Sequence, residues 1–192
     1  MLRMKKIIFP LLIIPNLAVA ESYSLLDKNP FMGNYQNQLA FGLGMGFDTG
    51  ILVPPPVRPV PFFIGTMQYS QPTSFFRIPA RRSLNFSGTV GLGSRYGWEW
   101  SDYSIPIAYI TEDIALFKIK NVYGAVGAGA GLQAKENARI GTKLLFQLKL
   151  SFGYSFNEKW AGEFFIQHFS NANTDSNNYS YAFYGVGFTY NY

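Results

Sequence analysis

Gly141-Thr142-Lys143-Leu144-Leu145-Phe146-Gln147-Leu148-Lys149-Leu150-Ser151-Phe152-Gly153-Tyr154-Ser155-Phe156 is the stretch whose reading decides the fold. Its even positions run Thr142, Leu144, Phe146, Leu148, Leu150, Phe152, Tyr154 and Phe156, and its odd positions carry Lys143, Gln147, Lys149, Ser151 and Ser155. Successive strand side chains point to opposite faces, so the stretch has one apolar wall and one wet wall. That is the pattern of a strand with lipid outside and a polar lumen inside. A strand of a soluble sandwich seldom keeps such alternation for so long.

Working outward, the same parity recurs. After Asn157-Glu158-Lys159, a tight turn, a strand from Trp160 to Ser170 places Phe164, Ile166, His168 and Ser170 on its even face, with Glu163, Phe165, Gln167 and Phe169 opposite. A last strand from Tyr179 to Tyr192 sets Ala182, Tyr184, Val186, Phe188, Tyr190 and Tyr192 against Gly185, Gly187, Thr189 and Asn191, and an aromatic end in this phase resembles the assembly signal of outer-membrane barrels. Upstream, Leu39, Phe41, Leu43, Met45 and Phe47 alternate with small or polar residues, as do Leu84, Phe86, Val90 and Leu92. Further strands are expected near 60–70, 98–111 and 121–133. The total is eight, an even count, as single-chain bacterial barrels require. The fold class expected is therefore all-β, an eight-stranded antiparallel transmembrane barrel of the bacterial outer membrane.

Composition agrees. Charged residues are 14% of the chain and aromatics 18%, against roughly 25% charged in soluble domains. No apolar run after the first twenty residues reaches the ~20 needed for a spanning helix, so a membrane address means a closed barrel. Arg3, Lys5 and Lys6, then Ile7 to Ile14, then Ala18-Val19-Ala20 read as a signal peptide over residues 1–20, leaving 21–192 as a single barrel domain. Removing the three leader cations lowers the net charge from +5 to +2, so no nucleic-acid partner is implied. With no cysteine and His168 the one histidine, no metal cluster is expected.

With both barrel ends facing the periplasm, the loop from Asn171 to Asn178 lies outside the cell. Gln71 to Arg82 is long for a periplasmic turn, Glu112 to Lys120 reads as an extension of a strand, and Asp48 to Pro59, with Pro54-Pro55-Pro56, as an outer loop. Arg58, Arg95, Lys135 and Arg139 fall outside, where solvated charge or contact with lipid phosphates is expected. Trp98, Trp100 and Trp160 read as interface girdles.

His168 and Ser170, two apart, share the lipid-facing side. Polar groups directed at hydrocarbon are costly, and expense at a membrane face hints at function. An imidazole beside a hydroxyl suits nucleophilic acyl transfer, the base taking the serine proton as Oγ attacks an ester. The same spacing also arises in a polar pair at the rim with no catalysis. Spacing alone leaves both readings open.

His168-Phe169-Ser170-Asn171-Ala172, with the polar loop and Tyr181-Ala182-Phe183-Tyr184 beyond it, resembles the active-site stretch of the lipid A 3-O-deacylases, the PagL-like acyloxyacyl hydrolase family. Met67-Gln68-Tyr69-Ser70-Gln71-Pro72 and Gln133-Ala134-Lys135-Glu136-Asn137 are also similar to family segments. The resemblance implies an eight-stranded outer-membrane barrel with a Ser, His and acid triad on its outer wall. It implies a cofactor-free esterase that releases the ester-linked 3-hydroxyacyl chain at the 3-position of lipid A, with outer-leaflet lipopolysaccharide as partner and a homodimer left open. Ser170 would be nucleophile and His168 general base, with Asn171 and the N–H groups near Ala172 at the oxyanion.

The chain departs from the family at the third triad position. Where the best-known members carry glutamate before the last strand, Asn178 stands here, and its carbonyl can orient a histidine without supplying charge. Asp175 is the alternative acid. Glu163 is expected inside the barrel, neutralising Lys143 or Lys149. A structural or adhesive barrel, and a lipase acting on other acylated lipids, are the alternative functions.

Overall fold

The computed structural model describes residues 29–46, 62–91, 104–137, 140–176 and 180–192. They form β1 (Gln38–Gly46), β2 (Phe62–Phe75), β3 (Ile78–Gly91), β4 (Ile105–Ile119), β5 (Val122–Gln133), β6 (Leu144–Ser155), β7 (Trp160–Ser170) and β8 (Tyr181–Asn191). Each strand pairs antiparallel with its neighbour, and β8 returns to β1 to close the barrel. Closure leaves no unpaired edge, as a sheet in lipid requires. The expected signal peptide, 1–20, lies outside the described residues.

Pairing fixes the geometry. A path from Gln38 through Ser70, Ser83, Thr111, Gly129, Gln147 and Phe169 reaches Tyr181, whereas Gln38 itself pairs with Asn191 of β8, so one circuit of the barrel staggers the register by ten residues. Such stagger in eight strands goes with a tilt of roughly 35–45°. Strands of 9 to 15 residues then suffice for an apolar band about 25 Å tall. Phe41, Leu43, Phe86, Ile110, Leu148 and Val186 are among the exposed residues of that outer wall.

The lumen is filled in layers. At its centre the buried Arg81 donates through Nε and Nη2 to Asp113 (3.0 and 2.9 Å), through Nη2 to Glu163 and through Nη1 to Gln38 (both 2.9 Å). Lys149 Nζ reaches Asp113 at 3.0 Å and Glu163 at 3.7 Å, and the Tyr123 hydroxyl donates to Glu163 at 2.8 Å. Two cations and two carboxylates thus compensate one another, the condition for burying them. Small residues make room for this layer: a Cβ at Gly127 would strike the Asp113 carboxylate, and one at Gly153 the Tyr123 ring.

Apolar plugs close both ends. Phe31 and Met32, from the segment before β1, pack with Tyr123, Ala115, Ala125 and Ala161 at the end with the short turns. Phe62, Ile105, Tyr109, Phe169, Tyr181 and Phe183 belong to the cluster at the other end.

Two sequence expectations are corrected. Gln71 to Arg82 is not a long turn: β2 and β3 continue through it to a two-residue turn at Phe76-Arg77, with Phe75 paired to Ile78. The fourth strand runs to Ile119 rather than 111, so the reading of Glu112 to Lys120 as strand extension holds. In both places inward charges, Arg81 and Asp113, gave the sequence a loop-like polarity. Arg58, Arg95, Arg139, Trp98 and Trp100 lie outside the described residues, whereas Trp160 packs on Tyr190 at 4.7 Å beside the short turn after β6.

Candidate active site

β7 holds His168 and Ser170 by strict alternation. Phe165, Gln167 and Phe169 are buried in the lumen, Phe164 and Ile166 are exposed on the outer wall, and His168 and Ser170 continue that outer row, half-buried. From inside, Phe169 meets Tyr109 edge-on at 5.1 Å and Phe183 at 6.3 Å. This packing anchors the strand end and so fixes the direction in which the two polar residues project.

Across the wall, His168 stands between Leu148 of β6 and Ala182 of β8, and Ser170 faces Phe146. Ala182 leaves the β8 side of the imidazole open, while Phe146 and Leu148 supply an apolar flank. Among the described residues no hydrogen bond joins the Ser170 hydroxyl to the imidazole. Their Cα atoms, two apart on a strand, are separated by about 6.6 Å, a span that rotamer changes can close. Catalytic hydrogen bonds often tighten only with substrate present.

The chain reverses immediately after Ser170. Asn171 is buried, its Oδ1 accepts the Asn173 N–H at 2.9 Å and its carbonyl accepts Thr174 N–H at 3.0 Å. Ala172 and Asn173 both have positive φ, 52° and 60°. The side chain of Asn171 therefore braces this turn from the inner side. Among the described residues the N–H of the exposed Ala172, two residues after the serine, has no acceptor. Asp175 is half-buried in the same loop, and Asn178 lies outside the described residues.

Glu163 is in the lumen, on the opposite face from His168, with Lys149 but not Lys143 as a partner. Its main partner, Arg81 at 2.7 Å, escaped the sequence reading because residues 71–82 read as a turn. The loop from 134 to 143 also carries structure the sequence did not specify. Asn137 Nδ2 donates to the Tyr181 hydroxyl oxygen at 2.6 Å, Asn137 Oδ1 accepts Ile140 N–H, and Gln133 Nε2 donates to the Thr142 carbonyl at 2.7 Å. These bonds tie the loop to the start of β8, next to Ala182. Lys135 is half-buried within it.

A family model described as Lipid A 3-O-deacylase (PagL) matches residues 107–191. That stretch contains both members of the outward pair and the turn after them. Over that stretch the chain resembles the PagL family of outer-membrane barrels. Among solved structures, the PagL-like barrel is similar to the outer membrane enzyme PagL, with a TM-score of 0.52, 11% identity and coverage of 81% of this chain and 99% of that one. It is also similar to Neisserial surface protein A (NspA), with a TM-score of 0.57, 8% identity and coverage of 81% and 96%. At such identities both likenesses speak for the barrel alone. No curated protein matches the chain.

Proposed function

We propose that this PagL-like barrel is a lipid A deacylase that hydrolyses the ester-linked 3-hydroxyacyl chain at the 3-position, using Ser170 and His168 on its outer wall. The observation that carries the proposal is the shared outward face of those two residues at the loop end of β7, inside the segment matched by the family model. A polar nucleophile and base facing lipid, at the end of the barrel with the longer connections, lie where outer-leaflet acyl esters are found.

The reaction follows from the groups present. Ser170 Oγ attacks the ester carbonyl carbon while the neutral imidazole of His168 takes its proton. The carbonyl oxygen becomes an oxyanion, which the Ala172 N–H meets as a fixed donor. Collapse expels the sugar 3-alkoxide, which leaves with the proton returned by the imidazolium, and a fatty acyl ester remains on Ser170. His168 then deprotonates a water, whose attack releases the 3-hydroxy fatty acid and restores the serine. Asn178, or Asp175 in its place, accepts the other imidazole N–H and fixes the tautomer. No step calls for a cofactor.

The test is the lipid A of cells making the barrel. Wild type is expected to lose the mass of one 3-hydroxyacyl group, and Ser170→Ala, folded and present in the membrane, to leave lipid A intact. Loss of the chain in Ser170→Ala cells would overturn the assignment. Intact lipid A in both, with release of fatty acid from purified phospholipid by the wild type alone, would reassign the same residues to a lipase.

A further inference from the structure

A second polar set breaks the apolar outer wall, on β2, β3 and β4. Arg82 lies between the buried Arg81 and Ser83, and Glu112 between the buried Thr111 and Asp113, so both side chains project outward. They are cross-strand partners, with Arg82 Nε donating to Glu112 Oε2 at 2.8 Å, and 47% and 23% of the two side chains remain exposed. Gln71 is paired with Arg82 on the other side; its Nε2 donates to the Tyr69 hydroxyl at 3.1 Å, which in turn donates to Asn37 Oδ1 at 2.6 Å. The result is one continuous polar ledge, with exposed Leu84 and Ile110 on the loop side of it.

Its position and unused valences define what fits. Arg82 is five residues from the Phe76-Arg77 turn and Glu112 is at the middle of β4, seven residues from either end, which places the ledge between the middle of the wall and the short turns. Those turns face the periplasm. Among the described residues Arg82 Nη1 and Nη2 and Glu112 Oε1 make no hydrogen bond. Charges presented to hydrocarbon with donors unmet are costly, whereas a lipid headgroup meets them. A guanidinium edge suits the oxygens of a phosphodiester, and a free carboxylate oxygen beside it suits a primary ammonium. The side chains are long enough to reach along the wall towards the headgroup layer.

We propose that Arg82, Glu112 and Gln71 seat the headgroup of a zwitterionic aminoethyl phospholipid of the periplasmic leaflet, phosphate on Arg82 and ammonium on Glu112. The seat is on a different wall segment from His168 and Ser170 and stands whether or not the barrel is a deacylase.

The experiment is native mass spectrometry of the purified barrel in a nonionic detergent, offered equal amounts of phosphatidylethanolamine and phosphatidylglycerol. Wild type is expected to retain phosphatidylethanolamine preferentially. Arg82→Gln should lower retention of both lipids about tenfold, the effect of losing one or two charge-assisted hydrogen bonds. Glu112→Gln should keep phosphate binding but abolish the preference for the aminoethyl lipid. Migration as a compact, heat-modifiable band verifies that each variant is folded. No preference in the wild type, or an unchanged preference in Glu112→Gln, would overturn the proposal. So would a wild-type dimer that Arg82→Gln dissociates with lipid retention unaltered, which would give the ledge to a second copy of the chain.

Discussion

Arg81 joins three strands and the segment before β1 through one guanidinium, which contacts Asp113, Glu163 and Gln38 and lies 4.5 Å from the centre of the Phe31 ring. Replacing it with an apolar residue leaves two buried carboxylates with Lys149 as the one remaining cation beside them among the described residues. Breaking a buried ion pair in this way costs about 3–5 kcal/mol. Arg81→Leu is therefore expected to lower the urea midpoint of the barrel in lipid vesicles, and an unchanged midpoint would show that the lumen network carries no stability. Glu163 was readable as a lumen residue from its parity, opposite His168 on the same strand. Arg81 was not, because Phe75, Phe76 and Pro79 around it have the composition of a turn. Parity needs a strand to count along, and charge next to proline hides one.

At the scale of elements, the turn between β2 and β3 is the least comfortable piece of backbone. Phe76 and Arg77 have φ of 47° and 71°, signs required by the tight hairpin turn that matches strand twist but disfavoured by side chains with a Cβ. Phe76→Asn with Arg77→Gly is expected to raise unfolding free energy by about 1 kcal/mol, measured by the same urea titration. A fall in stability would mean that the exposed Phe76 ring contributes more to this hairpin than its backbone costs. β7 was legible to its last residue because its parity is counted from the turn at Asn157-Glu158-Lys159, which delimits it. The end of β4 was obscured by adjacent Glu112 and Asp113, one on the outer ledge and one in the lumen, a pair of consecutive acids that reads as loop until the two walls are told apart.

For the whole molecule, an even count of alternating segments with no helical span was enough to specify a closed barrel. It was not enough to specify what fills it. The apolar clusters at the two ends, with a cavity of about 30 Å³ in the polar layer, leave no aqueous path among the described residues, so planar bilayers containing the barrel are expected to show no steady conductance above background. A stable ohmic channel would contradict the closed lumen. Nor does the barrel alone decide function: the chain shares its architecture with a neisserial surface protein and with an outer-membrane enzyme, and chemistry belongs to sites placed on folds. The outward placement of His168 and Ser170 followed from period two. The path of the turn after them depends on tertiary contacts that no local pattern encodes: the burial of Asn171 and the bonds of Asn137 and Gln133 that shape the neighbouring loop.

The central claim is that Ser170 is a nucleophile made reactive by His168 on the lipid-facing wall. Treating the detergent-solubilised barrel with a serine-reactive fluorophosphonate and mapping the modified peptide by mass spectrometry tests it most directly. The account predicts a single adduct on Ser170, slowed by at least about a thousandfold in His168→Ala, as loss of a general base within a catalytic unit does. An adduct on another serine, or equal labelling with and without the imidazole, would contradict it.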